Sequence, residues 1–153
     1  MEKQNRNAIG SAAQAVRRLL EEDYAEQLDG TFDIKRSGSI ADQPGAHLSP
    51  AQRVTRSKIV AAIGYHDATG RQLDEAVDRF IRDAAFTTLN RFVALKMLES
   101  RELIQPAITD GEGSSGYREF TGLAPGVTTL SDAAGYRLYL ESLFDELASE
   151  VKV

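Results

Sequence analysis

Between Arg71 and Arg101 the chain carries neither glycine nor proline, the two residues that most readily interrupt a helix. Leu73, Val77, Phe80, Ile81 and Ala84 recur at three- and four-residue steps and mark one face. From Ala84 to Leu98 the apolar residues spread nearly all round, the pattern of a helix enclosed by neighbours on several sides. The segment therefore reads as a central buried helix on which the others pack. Two helices joined near Asp83 are the alternative.

Other stretches supply the neighbours. Residues 5–28 form a first amphipathic helix, with Ile9, Ala12, Val16, Leu19, Leu20 and Tyr24 on one face. Ser49-Pro50-Ala51-Gln52 starts a second: serine caps, proline suits the first helical position and Gln52 reaches back. That helix extends to about Tyr65, with Val54, Ile59, Ala62 and Ile63 inward, and breaks at Asp67-Ala68-Thr69-Gly70. Residues 117–123 make a short helix. Ser131-Asp132 caps a last one through Glu150, striped by Tyr136, Tyr139, Leu140, Leu143, Phe144 and Leu147. The expected fold is all-α, an irregular bundle of about four main helices in a single domain, residues 1–153.

Two connections stand apart. Asp29 to Leu48 holds too few apolar residues (Phe32, Ile34, Ile40) for a core element and reads as irregular, with room for one short strand. A connection of that length in a compact domain is either mobile or has a partner. Gln105 to Gly116, with DGEGSSG, reads as a flexible surface loop.

At 153 residues the chain can bury a core without disulfide or metal. Cysteine is absent, which removes thiol nucleophiles and thiolate metal sites and suits a reducing compartment. No apolar run approaches a membrane span, and the polar start, MEKQNRNAIG, lacks the apolar core of a signal peptide. A cytoplasmic protein without a membrane partner is expected. The net charge of −5 weakens long-range attraction to nucleic acid, although a local basic face remains compatible with it.

Catalytic patterns are not found. GEGSSG at 111–116 follows no apolar strand and precedes no P-loop lysine. His47 and His66 lie apart in polar surroundings, with no further ligands to converge on a metal. The carboxylates interleave with basic residues as on solvated helix faces. Ser39, Ser49 and Ser114 sit in no GxSxG elbow, and no strand pair carries the acidic-x-Lys pattern of restriction nucleases. No catalytic residue, cofactor site or metal ligand is assigned to this chain.

Two polar features exceed background. Asn90 and Arg91 interrupt the apolar run from Phe86 to Leu98, where a polar group must be hydrogen-bonded or costs stability. They read either as a structural tie or as groups reaching a carboxylate, another domain or a phosphate. Lys96 shares their face only loosely. Arg53-x-x-Arg56-x-Lys58 begins the second helix. Arg53 and Arg56 there would project together, as an ordinary solvated face or as a contact to a phosphate backbone.

The stretch Ala85-Phe86-Thr87-Thr88-Leu89-Asn90-Arg91-Phe92-Val93-Ala94-Leu95-Lys96-Met97-Leu98-Glu99-Ser100-Arg101-Glu102-Leu103-Ile104 resembles the run AFTxLNRLxALRMLExRGLI of large adenine-N6 DNA methyltransferases, those of BREX phage exclusion and of type IIG restriction-modification. Ser115-Gly116-Tyr117-Arg118-Glu119-Phe120 is similar to the SxGF segment that follows in them. Tyr136 to Leu147 is similar to their YRxFLxxLFDEL. The likeness covers about residues 70–150. One departure concerns Glu102, where family members often carry glycine; glutamate there implies a different or strained helix end.

The resemblance implies a helical N-terminal domain, or a fragment, of a larger DNA-binding methyltransferase in phage defence. The methyltransferase catalytic domain, double-stranded DNA (through the parent enzyme) and other defence-system proteins would be its partners. S-adenosylmethionine would be the parent's donor, and the target base would be flipped from the duplex. Neither Phe-x-Gly-x-Gly nor Asn-Pro-Pro-Tyr occurs here, so this chain alone would transfer no methyl group. Asn90, Arg91 and Lys96, then Arg53, Arg56 and Lys58, are the candidate DNA or interdomain contacts. The rival reading is a stand-alone helical protein-interaction module. A basic face on the folded chain favours the first, an exposed apolar groove beside the final helix the second.

Overall fold

The computed structural model describes residues 3–67, 72–131 and 133–150. As expected, the fold is all-α. Its helices are α1 (Lys3–Phe32), α2 (Pro50–Asp67), α3 (Leu73–Ser100), α4 (Ser115–Leu123) and α5 (Ala134–Glu150), with short 3-10 turns at Gly111–Gly113 and Pro125–Thr129. Among the described residues there is no strand beyond an isolated antiparallel bridge between Ile34 and Ile40. No described helix is long and apolar enough to cross a membrane. The chain divides into two compact units, Met1–Leu89 and Asn90–Val153, and α3 contributes its first part to one and its last part to the other.

In the first unit the core joins Leu28 and Phe32 of α1, Ile63 of α2, and Ala76, Val77 and Ile81 of α3 to Ile34 and Leu48 of the first connection. α1 therefore outruns its expected end at residue 28. Gly30 costs a helix about 1 kcal/mol, but continuing through it places Phe32 one turn beyond Leu28, and both are buried. Asp33 then turns the chain in a left-handed conformation, φ 55°.

The apolar residues of the first connection, read as too few for a core element, belong to the core. Ile34 is fully buried and Leu48 nearly so. Lys35 N–H donates to Ser39 O at 2.8 Å, and Gly38 N–H to Lys35 O at 2.9 Å. Gly38 has φ 87°, and a Cβ there would lie 2.7 Å from the Asp74 backbone nitrogen. Glycine thus lets the turn close against the start of α3.

The reciprocal cap of α2 forms as read: Ser49 N–H donates to Gln52 Oε1 at 2.8 Å, and Gln52 N–H to Ser49 Oγ at 3.2 Å. The inward face holds at Ile59, Ala62 and Ile63 and fails at Val54. Val54 is 58% exposed, whereas Arg56 is buried with Ile63. Ile59 and Val60 pack beside them. The stripe is 56-59-60-63, a regular helical face that an apolar-only reading displaces because an arginine holds one position.

α3 is long and unbroken across the described residues 73–100, but it is not enclosed all round. Ile81, Ala85 and Leu95 are fully buried, while Phe86 (55%), Val93 (45%) and Met97 (49%) remain exposed. The break at residues 68–71, the helix start at Arg71 and a cap by Asp132 lie outside the described residues.

In the second unit the stripe of α5 packs as read, with Tyr139 and Leu140 buried beside Leu95 and Ala107. Phe92 meets Phe144 edge-on at 6.0 Å between centroids, and Tyr117 meets Tyr136 likewise at 5.5 Å. Residues 105–116, read as a flexible surface loop, are anchored. Ala107 and Ser114 are buried, and Ser114 Oγ caps α4 by accepting from Tyr117 N–H at 3.3 Å. Gly116 N–H donates to Pro106 O at 3.0 Å, so close that a Cβ would stand 2.9 Å from that oxygen and collide with the Tyr139 hydroxyl.

Candidate functional site

The last turns of α3 carry the most elaborate polar arrangement of the second unit. Glu99 is 9% exposed. Its Oε1 accepts from three successive backbone N–H groups, those of Ala107 (2.6 Å), Ile108 and Thr109 (3.1 Å). Its Oε2 accepts from Thr109 Oγ1 at 2.8 Å and from Lys96 Nζ at 2.9 Å. The carboxylate stands where an anion would sit in a backbone nest. Burial alone would raise its pKa. The Lys96 ammonium, the Ile108 N–H, the Thr109 hydroxyl and the Ala107 N–H outweigh burial and hold it at about 2. A group so acidic neither donates nor takes a proton near neutrality. Glu99 fastens the 107–109 segment to α3, and chemistry at a substrate is not its part.

Around it stand Tyr136, whose hydroxyl donates to Ala107 O at 2.8 Å, and Tyr139. Burial raises the Tyr136 phenol, with Glu99 and Glu112 adding to it. Burial likewise raises Tyr139, helped by Tyr136, Glu99 and Glu119. Among the described residues no group of three or more His, Asp or Glu side chains gathers to hold a metal.

Next to this staple, α5 borders two adjoining hollows. Leu95, Leu103, Ile104, Leu143 and Leu147 line one with Glu146. Ile104, Phe120, Leu123, Tyr139 and Leu143 line the other, with Gln105, Glu119 and Glu146. Ile104, Leu143 and Glu146 belong to both, so the hollows form one groove. Its banks are apolar and open to water: Leu103 is 65% and Leu123 83% exposed. Its charged lining residues are both glutamates, with no lysine or arginine.

The residues singled out from the sequence are spread over different tasks. Asn90 and Arg91 are exposed, so the cost of burying them does not arise. Arg91 places its guanidinium 5.7 Å from the centre of the Phe144 ring. Lys96 is bound to Glu99 and to the Thr109 hydroxyl. In the first unit Arg56 is turned inward. Its Nε donates to Phe32 O at 2.8 Å and its second terminal nitrogen to Ala41 O. Arg53 Nε donates to Leu48 O at 3.1 Å, and Lys58 is exposed. Arg53 and Arg56 therefore do not project together; both fasten the first connection.

The first unit also has a hollow lined by Arg17, Arg79 and Arg82 with Asp83 and Phe86. Each arginine there has a carboxylate partner at 2.8 Å: Glu21, Asp83 and Asp78 respectively. The patch is charge-paired, unlike the single-sign surface that gathers phosphates.

Glu99 and the groove both escaped the reading of the sequence. Glu99 is one carboxylate among many until residues 107–109 fold back on it. Of the groove's exposed leucines, Leu103 lies just past the end of α3 and Leu123 is the last residue of the short α4, so neither belongs to a long apolar stripe.

No family model, no curated protein and no solved structure matches the chain. The descriptions DNA methyltransferase, restriction-modification, BREX, phage defence and DNA-binding, attached through the resemblance, are corrected accordingly: no matched protein supports them, and they are withdrawn.

Proposed function

We propose that this chain is a helical protein-interaction module of the cytoplasm, without catalysis of its own, that receives an amphipathic helix in the groove beside α5. The groove carries the reading: Leu103 and Leu123 hold large apolar surface in water at its banks. Exposed apolar surface gathered around a concavity is the mark of a docking site. All the elements lining it are helices or turns, so no strand edge offers backbone pairing. Affinity there comes from side-chain burial. Tyr139, Leu143 and Leu147 follow one another by four residues along α5, about 6 Å per step. A partner helix with apolar anchors a turn apart matches that spacing.

The test is nuclear magnetic resonance of the whole chain titrated with a leucine- and lysine-based amphipathic helical peptide. The expected result is saturable shifts at Ile104, Leu123 and Leu143, weakened at least tenfold by Leu123→Asp. Undisturbed groove resonances at millimolar peptide, or shifts produced by a DNA duplex instead, overturn the reading.

A further inference from the structure

One tyrosine in the groove is buried without a hydrogen bond. Tyr139 is 5% exposed, yet no described residue hydrogen-bonds its hydroxyl. Its neighbour on α5 differs, since the Tyr136 hydroxyl donates to Ala107 O at 2.8 Å. Every fully enclosed side-chain oxygen among the described residues has a partner, so the Tyr139 hydroxyl must reach the surface. The surface it reaches is the hollow that Tyr139 lines with Gly116, Glu119 and Phe120. A Cβ at Gly116 would collide with the hydroxyl, so glycine keeps this spot uncovered.

Gly116, Glu119, Phe120 and Leu123 follow at three- and four-residue steps on one face of α4, and all four line the hollow. Glu119 is exposed and makes no hydrogen bond or ion pair with a described residue. Its charge reaches the phenol: burial first, then Tyr136, Glu99 and Glu119, raise Tyr139. Glu146 already has a partner within the protein, so Glu119 is the carboxylate left open. An apolar visitor would cover the hydroxyl without giving it a partner, and an acidic one would meet Glu119 with like charge. A long basic side chain satisfies both walls, because its stem is apolar and its head donates hydrogen bonds.

We infer that this hollow takes a lysine or arginine side chain of a partner helix. Its methylenes would lie along Ile104, Phe120 and Leu143, with its cationic head on the Glu119 carboxylate and the Tyr139 hydroxyl. This inference rests on the docking role proposed for the groove and names what makes that groove selective. The partner is then an amphipathic helix that carries one basic residue among its apolar anchors.

The experiment is calorimetric titration of the whole chain with synthetic amphipathic helical peptides, leucine on the apolar face and glutamine on the polar one. One anchor is replaced by lysine or by norleucine, which keeps most of the stem and lacks the ammonium. The replacement moves through successive anchor positions. Norleucine is the more apolar of the two, so a plainly apolar groove prefers it.

The expected result is one position at which lysine binds about fivefold or more tightly than norleucine. Glu119→Gln should abolish that preference and Tyr139→Phe should diminish it, and rising salt should narrow it. Tyr139→Phe removes a hydroxyl without a partner in the fold, so the thermal melt of the free chain should not move down. A norleucine peptide that equals or exceeds lysine at every position overturns the inference. So does a lysine preference that survives Glu119→Gln. If the leucine peptides still enter the groove in either of these cases, the docking role stands and only the basic occupant falls. Failure of every peptide to bind overturns the docking role and the inference with it.

Discussion

At the scale of the residue, Glu99 stands out because one side chain satisfies three backbone donors, a hydroxyl and an ammonium. Its carboxyl is held at about 2, against an ordinary 4.5. That difference corresponds to about 3 kcal/mol of stability carried by the ionised form. Because the folded value is the lower one, the contribution is fully present above pH 4.5. It falls away as pH drops from 4.5 towards 2. Urea melts of the whole chain, followed through the tyrosines of the second unit, should lose that stability across this window. Glu99→Gln should flatten the dependence and be less stable at pH 7 by about 2–4 kcal/mol. An unchanged acid profile in Glu99→Gln contradicts the assignment.

Glu102 is the second residue with a measurable burden. Leu103 N–H reaches back to Leu98 O at 3.0 Å, and Glu102 N–H to Glu99 O at 2.9 Å, with Glu102 at φ 57°. This is the left-handed Schellman termination that glycine favours, formed with a glutamate. The likeness to chains carrying glycine there prompted the expectation of a different or strained end, and the strained form is the one observed. Glu102→Gly should raise stability by about 1 kcal/mol, visible as a rise of a few degrees in Tm.

At the scale of the element, the first connection behaves as part of the core. Arg56 holds Phe32 O and Ala41 O, Arg53 holds Leu48 O, and His47 Nε2 meets Thr31 O at 2.9 Å. Arg56→Ala should cost about 2–3 kcal/mol by leaving the Phe32 carbonyl, in a buried bond, without its donor and by emptying a buried site, whereas Lys58→Ala should change stability by less than about 0.5 kcal/mol. Equal effects in chemical denaturation would count against a structural role for Arg56.

The same segment shows what was legible. The α2 cap could be read because its chemistry is local: Ser49, Pro50 and Gln52 meet within one turn. The α5 stripe could be read because its residues repeat at helical steps. Ile34 and Leu48 could not, since two apolar residues in a polar stretch show no period, and only the closed turn carries them inward. Arg56 was misread as a projecting cation because its carbonyl partners, Phe32 and Ala41, lie 24 and 15 residues away. The groove stayed hidden for the same reason, being made of residues that meet only after folding.

At the scale of the whole molecule, order is unevenly distributed along a single helix. α1 runs unbroken from Lys3 to Phe32, yet its apolar anchorage lies almost entirely in its last third. Backbone amides of residues 8–16 should then exchange with deuterium near the free-peptide rate in dilute solution, while those near Leu28 persist until the unit opens. A cut in the first turns of α1 would therefore leave its unit folded, because no described residue of the helix before Leu28 is buried.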